Sequence, residues 1–192
     1  MLKIGLIIGS TRPVRKAEIV AKWVYNIAQR RSEAEFELVD IKDFKLPLLD
    51  EPVSAVFGQY VHQHTKTWSA KIASFDAYVF VTPEYNHATS GALKNAIDFL
   101  HYEWVNKAAG FVGYGGAGGA RAIENLRLVM SELQVATVRA QVGLSLYTDF
   151  EKFTVFKPDP SQEKAVESML DQLVAWGGAL KPLREKRGVD NG

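Results

Sequence analysis

The sequence of 192 residues contains no cysteine. This absence excludes disulfide bonds, thiolate nucleophiles, cysteine-ligated zinc sites and iron–sulfur clusters. It leaves four histidines as the only soft metal ligands. Because extracellular proteins of this size are often disulfide-bonded, the composition favours a cytoplasmic location.

Long apolar runs and a strong net charge are also missing. No stretch approaches the roughly 18 apolar residues of a membrane-spanning helix. The opening run, residues 4–8, is interrupted by Gly5 and is too short for the core of a signal peptide. The 23 Lys and Arg nearly balance the 22 Asp and Glu, which leaves a formal charge of +1. We therefore expect no membrane span and no broad surface for nucleic acid, so that any polyanion site must be local.

The remaining composition is typical of one globular domain. Hydrophobic residues make up 47% and charged residues 23% of the chain, which excludes a disordered or fibrous protein. A chain of this length can bury one sizeable core. We expect residues 1–182 to form a single domain and residues 183–192 to form a solvated tail.

Strand and helix patterns alternate along the chain. Apolar runs predict strands at 3–8, 36–41, 77–81, 108–112 and about 135–146. Helical spacing of apolar residues predicts helices at about 19–31, 61–73, 93–100, 123–133 and 166–174. The first has Ile19, Val20, Trp23, Val24 and Ile27 on one face. Residues 42–60 are predicted to be an ordered loop. The alternation predicts a doubly wound parallel sheet of five strands with helices on both faces.

The turn after the first strand has the features of an anion site. In the run Gly9-Ser10-Thr11-Arg12-Pro13-Val14-Arg15, a glycine, two hydroxyls and two arginines precede a helix. The free N–H groups of a helix start attract anions, and guanidinium groups add charge-assisted hydrogen bonds to phosphate. An ordinary capped helix start is the alternative.

A glycine-rich segment follows the fourth strand. Gly113-Tyr114-Gly115-Gly116-Ala117-Gly118 matches the G-x-G-x-x-G pattern of dinucleotide-binding folds. The acid that such folds place about 20 residues later is missing, since the nearby Glu132 lies within the same helix. A loop that lets backbone approach a flat ligand, or a mobile surface loop, would explain the same glycines.

A third turn follows the third strand. Thr82-Pro83-Glu84-Tyr85-Asn86-His87 combines a stiff proline with a ring and an amide. These groups could line a planar heterocycle, although a simple turn would have the same composition.

Together these blocks resemble the NADPH-dependent FMN reductase family. The resemblance rests on Gly9-Ser10-Thr11-Arg12, on Thr82-Pro83-Glu84-Tyr85-Asn86 and on Gly91-Ala92-Leu93-Lys94-Asn95-Ala96-Ile97-Asp98, in that order, and spans about residues 2–180. It implies a flavodoxin-like sheet of order 2-1-3-4-5, with FMN at the switch point between strands one and three. It also implies NADPH or NADH as co-substrate, a small-molecule electron acceptor (quinone, free flavin, azo compound or metal oxyanion) and a homodimer or homotetramer.

The resemblance implies roles for eleven residues of this chain. The FMN phosphate would be held by Ser10, Thr11, Arg12 and Arg15; the isoalloxazine would be bordered by Pro83, Glu84, Tyr85 and Asn86 and approached by Gly115, Gly116 and Gly118. No metal and no general acid or base is expected, because FMN carries the redox chemistry.

Several residues fall outside this pattern. Relatives commonly carry proline near position 90, where this chain has Ser90, which could cap the next helix instead. We expect His62 and His64 to diverge on a helix, and His87 to be either a substrate-face residue or a plain turn residue. The segment with His101, Tyr102 and Trp104 is expected at the substrate face or at a subunit contact.

Two other functions fit parts of the sequence. A flavodoxin-type electron carrier would use similar loops, but such carriers usually have a strongly acidic surface, and this chain is near neutral. A dehydrogenase or regulatory module without flavin would bind a dinucleotide through residues 113–118.

Overall fold

The computed structural model describes residues 1–189 and shows the predicted alternation of strands and helices. The strands are β1 (Leu2–Ile8), β2 (Ala34–Asp40), β3 (Ala77–Pro83), β4 (Ala108–Gly115), β5 (Ala136–Ser145), β6 (Phe150–Glu151) and β7 (Val155–Phe156). The helices are α1 (Ala17–Ala28), α2 (Gln63–Ala73), α3 (Gly91–Asp98), α4 (Ala120–Glu132) and α5 (Ser161–Val189), with short 3₁₀ turns at Ile41–Phe44 and Ala55–Phe57.

The main sheet has the order β2-β1-β3-β4-β5, and every neighbouring pair is parallel. This confirms the predicted flavodoxin-like topology. The connection after β1 leads to β2 on one side, whereas the connection after β3, the other neighbour of β1, leads to β4 on the opposite side. Ligands of open parallel sheets bind at such a point, beyond the carboxyl ends of the strands.

Strand β1 shows why the sheet needs helices on both faces. Ile4, Leu6 and Ile8 belong to the core beneath α1 and α5, whereas Ile7 belongs to the core beneath α2, α3 and α4. Alternate side chains of a strand point to opposite faces, so an uninterrupted apolar run must be covered twice. Gly5 is required on the second face, because a Cβ there would lie 3.0 Å from a ring carbon of Phe75.

Some local features differ from the sequence-based predictions. Helix α1 ends at Ala28, and Ile19 is exposed rather than part of its buried face. The hairpin of β6 and β7 was not predicted, because strands of two residues carry no periodic signal. The predicted ordered loop at 42–60 is confirmed: the Asn95 side chain accepts from the Leu49 N–H at 2.9 Å and donates to the Pro47 carbonyl at 2.7 Å.

Helix α5 continues past the predicted domain end at residue 182. Arg184 donates to the Asn106 carbonyl at 2.8 Å and pairs with Asp76. The division of the chain at residue 182 stays a prediction, and residues 190–192 of the predicted tail lie outside the described residues. Within residues 1–189, no helix is long and apolar enough to cross a membrane.

A buried lysine closes the amino-terminal edge of the sheet. Lys107 is 4% exposed, and its ammonium lies 3.0 Å and 3.2 Å from the carbonyls of Ile72 and Ala73, in the last turn of α2, and 2.9 Å from the Tyr78 hydroxyl. The pKa of Lys107 is lowered to about 7, mainly because the ammonium is buried and secondly because the charge of Arg184 is nearby. The three hydrogen-bond partners do not fully offset the free-energy cost of removing the charged ammonium from water.

This burial predicts a pH-dependent stability. Since the pKa of Lys107 falls from its ordinary 10.5 to about 7 on folding, the unfolded chain binds the proton more tightly between those values. The free energy of unfolding should therefore gain up to about 1.4 kcal/mol per pH unit from this group as pH rises from 7 to 9.5. Urea unfolding at several pH values should show this gain reduced in Lys107→Met and retained in Lys66→Met, which alters an exposed lysine. Equal slopes in wild type and Lys107→Met would contradict the assignment.

Candidate cofactor site

The carboxyl ends of β1 and β3 are held in direct backbone contact. The Gly9 N–H donates to the Val81 carbonyl at 2.8 Å. A Cβ at Gly9 would lie 2.7 Å from both that carbonyl oxygen and the Leu93 side chain. Only glycine allows this approach, so the turn after β1 is fixed against β3 and the start of α3.

A cavity of about 130 Å³ opens beside this contact. It is lined by six of the eleven predicted site residues, Arg12, Arg15, Pro83, Glu84, Tyr85 and Gly115, together with Val14, Lys16, Tyr114 and Leu146. Its volume is below the roughly 300 Å³ of a typical small-molecule pocket. It could therefore enclose only part of a cofactor, with the rest against its open rim.

The other five predicted residues lie around this cavity rather than in its wall. Ser10 is buried, and its hydroxyl lies 3.4 Å from the Tyr85 hydroxyl, which joins the first turn to the third. Thr11 faces a separate cavity of about 460 Å³ between residues 41–48 and α3. Asn86 and Gly116 are exposed, and Gly118 packs against the backbone of Gly143.

Arg15 carries the clearest sign of an anion site. Its side chain is only 7% exposed and pairs with Asp40 through Nη2. The buried Nε and Nη1 atoms have no hydrogen-bond partner among the described residues. Buried donors without partners are rare and expensive, so an acceptor that binds here would satisfy them.

The start of α1 provides further donors beside Arg15. Its N-cap residue, Lys16, makes no side-chain capping hydrogen bond. The first N–H groups of a helix have no partner within the helix, and the helix dipole adds partial positive charge there. With Arg12 and Lys16 also lining the cavity, the local charge suits a phosphate.

The acid in the cavity wall, Glu84, is paired with an arginine of α4. The Glu84 carboxylate accepts from the Arg121 N–H at 3.1 Å and pairs with the Arg121 guanidinium. The same guanidinium lies 3.4 Å from His87 Nδ1. Sequence reasoning missed Arg121, since only the fold brings the start of α4 to the turn after β3. Burial raises the pKa of Tyr114, which therefore lines the cavity as a neutral phenol.

The turn after β3 has an unusual backbone. Tyr85 and Ala88 exchange two backbone hydrogen bonds, of 2.9 and 3.1 Å, around Asn86 and His87. Both central residues have positive φ, 48° and 73°, as in a type I′ turn. Asparagine tolerates this conformation, whereas histidine in a position that favours glycine stores strain.

The glycines at the end of β4 and in the turn before α4 allow close packing of α4. A Cβ at Gly113 would lie 2.9 Å from the Gly119 carbonyl and from Ile123, and Gly118 and Gly119 have φ of 65° and 73°. Gly115 lies against Glu84, whose Cβ would be 3.1 Å from a Cβ at that position. The strand order is that of flavodoxin rather than of the classic dinucleotide fold, so the G-x-G-x-x-G match does not indicate a dinucleotide site.

The histidines and Trp104 partly contradict expectation. His62 precedes α2 as its N-cap, and its ring stacks on that of His64 at 5.2 Å, so the two converge instead of diverging. His64 Nε2 lies 3.0 Å from an Asp50 carboxylate oxygen. Trp104 is fully buried in the core and cannot shape a substrate face. Across residues 1–189, no group of three or more His, Asp or Glu could hold a metal ion.

Ser90 ties α3 to the first turn. Its hydroxyl accepts from the Leu93 N–H at 3.1 Å, which caps α3, and donates to the Gly9 carbonyl at 2.6 Å. The capping role considered for this departure from the family pattern is therefore present. The hydroxyl also satisfies a buried carbonyl beside the cavity.

Known proteins are similar to this chain in sequence. The model of the family described as NADPH-dependent FMN reductase matches residues 2–149. The chain belongs to this family. It is 38% identical over 188 residues to an NAD(P)H-dependent FMN reductase of Schizosaccharomyces pombe, covering 97% of this chain and 87% of the relative. It is 40% identical over 159 residues to an NAD(P)H-dependent FMN reductase of Nectria sp, covering 78% and 79%.

A solved structure supports the fold of this family member. The flavoenzyme NAD(P)H:(acceptor) oxidoreductase FerB from Paracoccus denitrificans superposes with a TM-score of 0.74 at 22% identity, over 93% of this chain and 98% of that one. The residues of the cavity fit an FMN phosphate, because Arg12, Arg15 and Lys16 line one small space beside the start of α1 and two buried donors of Arg15 have no partner among the described residues.

The Ser90 contacts predict losses of stability of different size in two variants of this family member. Ser90→Ala removes the cap of α3 and leaves the Gly9 carbonyl without its donor, so we expect a loss of about 1–3 kcal/mol in the free energy of unfolding. Ser90 has φ of −66°, which proline adopts without strain, so Ser90→Pro should lose less than Ser90→Ala. Urea unfolding of both variants measures this order, and the reverse order would refute it.

Proposed function

We propose that this protein transfers hydride from NADPH or NADH through bound FMN to a small electron acceptor. The observation that carries the proposal is the cationic cavity at the start of α1, where Arg15 has two buried donors without partners. Membership of the NADPH-dependent FMN reductase family supports the cofactor and the reaction. The acceptor would be a quinone, a free flavin, an azo compound or a metal oxyanion.

The first turn would bind the phosphate end of FMN. Arg15, Arg12 and the first N–H groups of α1 are the donors that this cavity offers. Ser10 would contribute through its buried hydroxyl, and Thr11 from the neighbouring surface. Asp40 would keep the Arg15 side chain in place while its Nε and Nη1 remain available.

The third turn and the glycine segment would orient the ring. Pro83, Glu84 and Tyr85 line the cavity, and Asn86 extends from its rim. Gly115, Gly116 and Gly118 would let a flat ring approach the backbone. The Glu84–Arg121 pair joins the two segments, so they would hold the ring as one rigid border. When bound, FMN accepts hydride from a nicotinamide and passes electrons to the acceptor, so no side chain is assigned a proton-transfer role.

We also propose that the protein forms a homodimer or homotetramer in the cytoplasm. Between residues 48 and 61, several large apolar side chains are exposed, among them Leu48 at 85% and Phe57 at 65%. Asn95 holds the start of this segment on α3, so the segment would form an ordered face. Exposed apolar patches of this kind favour association between copies.

An electron carrier is the second candidate, since it would use similar loops to bind FMN. Steady-state oxidation of NADPH or NADH by the FMN-loaded protein, with a quinone or free FMN as acceptor, distinguishes the two. Turnover supports the reductase. FMN binding without turnover on any of these acceptors would support the carrier, and absence of FMN binding would refute both.

The phosphate assignment predicts the effect of one arginine substitution. Arg12→Ala removes a charge-assisted hydrogen bond, so the Kd for FMN should rise about 10- to 150-fold, equivalent to about 1.5–3 kcal/mol. Fluorescence titration of FMN measures this Kd. Arg139→Ala, which alters an exposed arginine of β5, should leave it unchanged. A Kd for Arg12→Ala within twofold of wild type would refute the role of Arg12.

A further inference from the structure

The hairpin of β6 and β7 is held rigidly by one buried carboxylate. Asp149 is 1% exposed and accepts from the Ser145 N–H at 2.8 Å, the Thr148 hydroxyl at 3.1 Å and the Asp159 N–H at 3.0 Å. Phe150 and Phe156 pack inward, the latter against Trp23 of α1. The hairpin is therefore anchored without help from its outward-facing side chains.

Two exposed aromatic rings lie at this hairpin, Phe153 at its tip and Tyr147 in the segment just before β6. Tyr147 is 72% exposed and Phe153 52% exposed, although their rings form a T-shaped pair with centroids 5.4 Å apart. A paired arrangement fixes both rings while leaving much of their surface open to solvent. Burying that surface against another aromatic ring would be favourable.

The tip of the hairpin is strained in a way that presents Phe153. The Thr154 N–H donates to the Glu151 carbonyl at 3.1 Å, and the two residues between them, Lys152 and Phe153, have φ of 50° and 58°. Such a turn prefers asparagine and glycine. An aromatic residue here has a local energetic cost, and strained residues of this kind cluster at functional sites.

The aromatic pair adjoins the proposed FMN site. Leu146 lines the cofactor cavity, and its N–H donates to the Gly115 carbonyl at 3.0 Å. The next residue, Tyr147, lies 3.7 Å from where a Cβ of Gly116 would be. The Tyr147 ring therefore lies beside the glycine segment that is proposed to approach the flavin, and Phe153 reaches this place through its contact with Tyr147.

We infer that Tyr147 and Phe153 form a stacking platform that selects planar aromatic electron acceptors. This inference rests on the proposed function. A cavity of about 490 Å³ along the same hairpin is lined by the Tyr147 ring, by two lysines and by two acids, namely Lys152, Lys157, Glu151 and Asp159. An acceptor stacked on Tyr147 would therefore meet polar groups of both signs at its edge. Reduction of a quinone to a hydroquinone takes the hydride supplied by NAD(P)H and one proton from solvent, and the platform only positions the acceptor.

The test uses FMN-loaded protein and two acceptors, 2-hydroxy-1,4-naphthoquinone and ferricyanide. The first is planar, aromatic and anionic, whereas the second cannot stack. Phe153→Gly suits the positive φ, so the variant should fold at least as stably as wild type. In Phe153→Gly and in Tyr147→Ala, we expect KM for the naphthoquinone to rise about tenfold, with kcat/KM for ferricyanide within twofold. Calorimetry should show the same weakening of naphthoquinone binding to the oxidised protein.

Val155→Ala is the matched control, because Val155 is an exposed apolar residue of the same hairpin. It should change none of these values. Unchanged naphthoquinone affinity in both aromatic variants would overturn the platform. An equal loss of kcat/KM for ferricyanide would also overturn it, because it would indicate a structural role for the two rings. A smaller oligomer for either aromatic variant in light scattering would overturn it in favour of a contact between copies. Failure of the proposed function is separate: wild type would not bind FMN or oxidise NAD(P)H.

Discussion

The contact between Gly9 and Val81 is the constraint on which the rest of the cofactor site depends. It brings two parallel strand ends within one backbone hydrogen bond and leaves no room for a Cβ. Ser90 then fastens α3 to the same residue, because its hydroxyl donates to the Gly9 carbonyl. These contacts fix the first and third turns relative to each other. Arg12 and Arg15 can therefore line the same small cavity as Tyr85, which lies far from them in the sequence.

Cationic side chains lie at both edges of the sheet, in different surroundings. At the carboxyl edge, Arg12, Arg15 and Lys16 line the cavity, while Asp40 and Glu84 are each paired with an arginine. At the amino edge, the ammonium of Lys107 is enclosed by neutral acceptors and its burial costs stability. The near-zero net charge of the chain therefore hides a local cluster of cations at the carboxyl edge, where an anionic cofactor would bind.

The fold of the main sheet and its helices could be predicted from the sequence because the five sheet strands and the helices packed on them carry local apolar patterns, whereas the two-residue strands β6 and β7 do not. The buried strand β1 and the amphipathic α4 were recognisable from the spacing of their apolar residues. The strand order was predicted from the resemblance to the family, which rests on three motifs in their expected order. Six predicted site residues meet in the cavity wall. The pairing of Glu84 with Arg121 was not predictable, because it depends on how α4 packs on β4. The convergence of His62 and His64 was missed for a different reason: His62 lies outside the helix rather than in it.

The direction of α5 has a practical consequence. The helix begins near the carboxyl edge, where Gln162 donates to the Gly143 carbonyl, and runs to the amino edge, where Arg184 meets Asp76. An affinity tag or electrode linker attached at the exposed Glu185, next to Arg184, would therefore lie on the side of the molecule opposite the first and third turns. Immobilised in this way, the protein would present those turns to the bulk solution.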